Sequence, residues 1–185
     1  NKVHTILQLR HHEAILELKD KIQKGPKDKI YDIDLTYITS RGNWYYTSWK
    51  GKEDKSGGIA SNIGVHFFDM LQWIFGPFEA ATVAIKTKDT NSGTLKFKQA
   101  NVNWYLSINA ENLPPDIKSK GQSTFRTLTI EDKEIEFSKG FTDLHTVSYQ
   151  KIIEGKGYGL KDARNSIEIV SQIRNYNINK TGLND

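Results

Sequence analysis

The amino-acid sequence predicts an α+β domain, a largely antiparallel open sheet with helices on one face. Three observations carry this. Apolar residues alternate with polar ones over four separate segments, the period of a half-buried strand. Other segments space their apolar residues by three and four, the period of an amphipathic helix. The second face of the strands carries Asn, Thr, Ser and Tyr, which nothing in the chain is patterned to cover.

Taken in order, Val3 to Leu9 (VHTILQL) reads as a short buried strand. Ile15, Leu18 and Ile22 then share one face of a helix over His12 to Lys24, stopped by Gly25-Pro26. Tyr31, Ile33, Leu35 and Tyr37 alternate with Asp32, Asp34 and Thr36. A helix is expected from Ser61 to Phe75. Leu95 and Phe97 follow a turn expected at Asp89 to Gly93 (DTNSG). Val102, Trp104, Leu106 and Ile108 alternate with Asn101, Asn103, Ser107 and Asn109. Leu128 and Ile130 precede a hairpin turn at Glu131-Asp132-Lys133. Two helices, Leu144 to Glu154 and Lys161 to Asn175, complete the chain.

Composition sets the outer limits. The 185 residues suit one domain, and 8 Tyr, 8 Phe and 4 Trp provide packing anchors. The absence of cysteine excludes disulfides and thiolate metal sites. No apolar run approaches the roughly 20 residues of a membrane span, and no signal-peptide pattern opens the chain, so a cytoplasmic protein is expected. Net charge is +4, with the excess concentrated in Lys19 to Lys29. Asp20 and Asp28 interrupt that run, which reads as a solvated helix end rather than a nucleic-acid patch.

The densest chemical signal is Ser56 to Asp69 (SGGIASNIGVHFFD). On the expected helix Asn62, His66 and Asp69 recur at i, i+4 and i+7 and share a face. Ile63, Phe67, Met70 and Ile74 form the adjoining apolar stripe. A histidine there can take or give a proton near neutrality, or can simply be satisfied by Asp69. Ser40 to Lys52 (SRGNWYYTSWKGK) interleaves Arg41, Lys50 and Lys52 with Trp44, Tyr45 and Trp49. Such a loop suits an anionic sugar derivative or a single strand of nucleic acid, or tucks its rings onto the core. His11-His12-Glu13 is a poor metal site, because adjacent side chains diverge, and no metal is expected. Gly155 to Gly159 (GKGYG) lacks the spacing of a nucleotide-binding turn.

Read together, SGGIASNIGVHFFDMLQWIFG resembles the signature helix of the glucose–fructose oxidoreductase/inositol dehydrogenase (Gfo/Idh/MocA) superfamily, GGGxxxDxGxHxxD. Gly57, Gly58, Gly64, His66 and Asp69 match, and Asn62 stands where the pattern has Asp. TILQLRHH, DLTYITSRGNWYYTSWKG and TDLHTVSYQKIIEGKGYGLKDARNSIEIVSQIR are similar to the branch that oxidises C3 of UDP-N-acetylglucosaminuronate for surface polysaccharides. The resemblance implies the C-terminal domain of a two-domain NAD-dependent enzyme whose Rossmann domain is missing here. Residues 1–10 would be that domain's last strand, and 11–185 the substrate-binding and oligomerising domain. It implies a catalytic role for His66, beside a lysine lying upstream of this chain. Arg10, Arg41, Tyr45, Lys50, Asn62, His145 and Tyr149 would contact a UDP-sugar, with Gly57, Gly58 and Asp69 in support. NAD(H) would be bound mainly by the missing domain, leaving this chain inactive alone. The polar sheet face would pair with a second copy, giving a dimer or tetramer, with no nucleic acid or membrane as partner. Two other readings stand beside it: another sugar or cyclitol dehydrogenase of the superfamily, and a non-catalytic dimerisation or ligand-binding module.

Overall fold

The computed structural model describes residues 2–135 and 143–178. One six-stranded sheet, in the order β2-β3-β4-β1-β5-β6, forms its centre. The strands are β1 (Tyr31–Thr39), β2 (Phe78–Lys86), β3 (Thr90–Phe97), β4 (Ala100–Ser107), β5 (Thr124–Ile130) and β6 (Lys133–Glu134). Every pairing is antiparallel except β1 with β4, so the sheet is mixed but mostly antiparallel. The helices are α1 (Glu13–Lys24), α2 (Asn43–Thr47), α3 (Glu53–Ser56), α4 (Val65–Phe75), α5 (Pro115–Ser119), α6 (Leu144–Ile153) and α7 (Leu160–Asn175).

The alternation is realised as burial. Ile33 and Leu35 of β1, Val102 and Trp104 of β4, and Leu128 of β5 are buried, whereas Asp32, Asp34, Asn101 and Asn103 are exposed. Helix α4 lies antiparallel along β1 on the apolar side. Tyr31 meets Phe75 at 5.9 Å between ring centres, and Tyr37 meets Phe67 at 5.0 Å. Phe68 packs edge-on against Trp104 at 5.6 Å, fixing the same helix on β4. Of these rings Phe67, Phe68, Phe75 and Trp104 are deeply buried, and each contributes about 1.5–3 kcal/mol through lost water contact. The open face is held by a side-chain ladder, in which Asn101 donates to Asp32 at 3.4 Å and Asn103 to Asp34 at 2.9 Å.

Three expectations are revised. Val3–Leu9 is not a strand: Thr5 makes a single bridge to Tyr158, and a 3-10 turn begins at Gln8. A strand needs a partner along its length, and among the described residues the one bridge is to the loop before α7. The turn expected at Asp89 to Gly93 falls earlier, closed by Thr87 and Thr90, and Asn91 to Gly93 already belong to β3. Gly93 serves close approach rather than turning, since a Cβ there would sit 2.0 Å from the Thr82 carbonyl oxygen. Ser107, assigned to the open face, is fully buried, bonded to the Asp89 carbonyl and to Asn112. Strand β2 has only Val83 buried and bulges at two places, so no alternation announces it.

Several lysines of the lysine-rich run have partners within the domain. Lys19 donates to the Trp73 carbonyl and lies 4.0 Å from that ring, Lys24 pairs with Asp20, and Lys29 pairs with Glu131. Among the described residues no helix is long and apolar enough to cross a membrane.

Candidate functional site

The site is built around the start of α4. Gly57 and Gly58 take φ of +78° and +72°, the left-handed region that other residues enter at a cost, and reverse the chain after α3. Helix then begins, and its residues Ala60–Gly64 form a π turn before the α geometry resumes at Val65. Such wide turns recur at functional sites because they displace side chains from the helical phase. Asn62 sits in this turn. Its amide nitrogen lies within bonding distance of the Tyr45 hydroxyl (3.2 Å), the Gly58 carbonyl (3.0 Å) and the Lys50 carbonyl (3.4 Å). Asn62 therefore fastens the aromatic loop to the helix.

One turn on, His66 faces a cavity of about 310 Å³, shared with Gln8, Tyr37, Arg41, Arg126 and His145. Burial is the main cause holding the His66 pKa below its ordinary 6.5, and repulsion from His145 adds to it. The imidazole is thus neutral at physiological pH and able to accept a proton. Of the expected site residues, His66, Asn62, Arg41 and His145 come together here.

Others go elsewhere. Asp69 does not share the cavity face with Asn62 and His66. It is 1% exposed and takes two hydrogen bonds from Arg10, Nε to Oδ2 at 2.9 Å and Nη2 to Oδ1 at 2.7 Å. Burial raises the Asp69 pKa, and Arg10 opposes that rise. Arg10 in turn donates to the Asp162 carbonyl at 3.1 Å and lies under the Tyr158 ring at 4.7 Å. Expected as a counter-charge for substrate, it is instead a buried clamp between the chain start, α4 and α7. Tyr45 and Lys50 line a smaller cavity on the far side of Asn62, with Gly57 and Gly58. Tyr149 is 57% exposed on α6, away from both cavities. Burial is also the main cause raising the Tyr45 pKa, and the Arg41 charge partly offsets it.

Arg126 was not anticipated as a site residue. Its signal was in the sequence: β5 turns Leu128 and Ile130 inward, and the same alternation turns position 126 inward.

A family model described as the C-terminal alpha/beta domain of an oxidoreductase family, GFO_IDH_MocA_C, matches residues 19–115. The chain belongs to the Gfo/Idh/MocA oxidoreductase family. Among solved structures, the WlbA (WbpB) dehydrogenase from Thermus thermophilus, crystallised with NAD and α-ketoglutarate, is 42% identical, with a TM-score of 0.89. That match covers 94% of this chain and 56% of the other. The same dehydrogenase with NAD and UDP-GlcNAcA is 41% identical over 96% of this chain and 56% of that one, again at 0.89. WlbA from Bordetella pertussis, with NADH and UDP-GlcNAcA, shares the fold at a TM-score of 0.69, 20% identical over 93% of this chain and 60% of that one. The chain thus spans little more than half the length of these Gfo/Idh/MocA relatives.

Proposed function

We propose that this chain is the substrate-holding domain of an NAD-dependent dehydrogenase that oxidises C3 of a UDP-N-acetylglucosaminuronate-type sugar in surface-polysaccharide synthesis in the cytoplasm. The observation that carries the reading is the His66 cavity. A neutral imidazole stands there with two guanidinium groups and no carboxylate among the described lining residues. Such a cavity accepts an anionic ligand and removes a proton from it. Similarity above 40% to a dehydrogenase solved with NAD and UDP-GlcNAcA supports the same substrate class.

His66 would accept the hydroxyl proton as the C3 alcohol becomes a ketone, within hydrogen-bond reach of that oxygen. Arg41 and Arg126 would hold the sugar's negative charge, and Asn62 would line the cavity beside them while tying the Tyr45 loop to the helix. The residues present do not fit a dinucleotide, because no glycine-rich turn links a strand to a helix here. The hydride's path is therefore not assigned to this chain. In the whole protein NAD would bind a preceding Rossmann domain, residues 1–10 leading from it into the substrate domain at 11–185. The open sheet face, with short polar side chains at Asn101, Asn103, Thr127 and Thr129, would pair with a second copy.

The test is a titration and crystal soak of the full-length protein with UDP-GlcNAcA and NAD. Ring density beside His66 and NADH formation are expected, while residues 1–185 alone should give no turnover. Turnover by residues 1–185 alone would sink the domain assignment, and a full-length protein that binds no acidic sugar nucleotide would sink the substrate.

A further inference from the structure

We infer that Arg126 makes the cavity beside His66 a carboxylate-recognising site and selects an acidic sugar ring over a neutral one. This rests on the substrate reading above and adds a residue to it. Arg126 projects from the core side of β5, on the face that buries Leu128 and Ile130. Its cross-strand partner is Tyr37, whose ring lies 5.0 Å from the guanidinium carbon. Tyr37 is itself held against Phe67 of α4, one residue from His66. The strand register and the stacked ring together fix the guanidinium at the cavity wall.

Arg41 joins the lining from just beyond the end of β1, with its backbone N–H on the Ile108 carbonyl at 3.1 Å. Its Nε is buried with no hydrogen-bond partner. A buried guanidinium donor without an acceptor is a site prepared for one. The described lining offers two arginines and two histidines against no Asp or Glu, so its net charge favours an anion. Planar guanidinium groups match a carboxylate with paired hydrogen bonds.

An oxyanion here could belong to a carboxylate or to a diphosphate. The cavity encloses His66, so the ring being oxidised lies inside it, and a uronate carries its carboxylate on that ring. The diphosphate hangs from the anomeric carbon and leads outward. The volume of about 310 Å³ is at the small end for ligand sites and leaves room for a ring rather than a whole sugar nucleotide.

Calorimetric titration of the full-length protein and its Arg126→Gln and Arg126→Lys variants with UDP-GlcNAcA, UDP-GlcNAc and UDP tests this. The unmodified protein should prefer the acidic sugar by about tenfold or more, as expected for a site built to pair a polar group. Arg126→Gln should abolish that preference while binding UDP and UDP-GlcNAc within about threefold of the parent, and Arg126→Lys should keep part of it. Equal weakening towards all three ligands moves the charge to the diphosphate or the scaffold and overturns the proposal. So does a parent protein without preference. Should Arg126→Gln fail to fold, Arg126→Lys decides: full retention of the preference counts against a planar pairing, partial loss for it. Preference without NADH formation would spare the carboxylate site and defeat the dehydrogenase reading. Turnover with an unchanged preference in Arg126→Gln would do the reverse.

Discussion

Replacing Asp69 with Asn should destabilise the chain more than any surface substitution. Arg10 and Asp69 are 6% and 1% exposed, and their two hydrogen bonds are 2.9 and 2.7 Å long. Removing the carboxylate charge leaves a buried guanidinium whose remaining support is the Asp162 carbonyl and the Tyr158 and Trp73 rings. Breaking one side of such a buried pair costs about 3–5 kcal/mol, because the surviving charge is left desolvated. For a domain of this size that is a fall in Tm of about 6–20 °C. Urea unfolding of the parent, Asp69→Asn, Arg10→Met and the double variant gives the test. Each single variant should lose the full amount, and the double variant should lose much less than their sum, since no unpaired charge remains. Asp20→Asn is the control, because the exposed Lys24–Asp20 pair contributes under about 1 kcal/mol. A single-variant loss below about 1 kcal/mol, or strictly additive losses, would refute the clamp.

Three further outcomes are expected. In the full-length protein His66→Ala should lower kcat by about a hundredfold or more with little change in NAD affinity, and a loss under about threefold would make the residue structural. Because the folded His66 pKa lies below 6.5, the base stays neutral as pH falls past 6.5 and activity is lost only at lower pH. His145→Gln removes a repulsive neighbour and should move that acid limb upward in a kcat/KM profile, whereas an unmoved limb separates the two histidines. Asn103→Arg with Thr94→Arg places like charges on the open face, at directly paired positions of β3 and β4, and should turn a dimer into a monomer by light scattering. Ser107 is unsuitable for this test because it is buried. A parent protein of monomer mass would end the assembly proposal.

The fold was legible wherever one side of an element meets the core and the other meets solvent. That condition produces the alternation of β1 and β4 and the stripe of α1 (Ile15, Leu18, Ile22), and local sequence suffices to read it. It fails for β2, an edge strand with one buried residue, and for Val3–Leu9, apolar without a pairing partner. The site was half legible. His66 and Asn62 follow from helical spacing, but that Asp69 pairs away from them is decided by Arg10, 59 positions away in sequence from Asp69. Arg126 was readable from the inward phase of β5, whereas its meeting with Arg41 depends on β1 and β5 pairing across the middle of the chain.

That pairing has a consequence for the order of assembly. Strands β2, β3 and β4 follow one another through short turns, so their hairpins close small loops and can form early. Strand β1 sits between β4 and β5, and each pairing must first close a loop holding much of the chain. Contacts of such separation are slow to form, because the entropy of closure comes before any gain from burial. The cavity lies at this seam, with Gln8, Arg41, His66, Arg126 and His145 each drawn from a different stretch. In refolding from denaturant, the meander should acquire its hydrogen-exchange protection first, and ligand-binding capacity should return in the slowest phase.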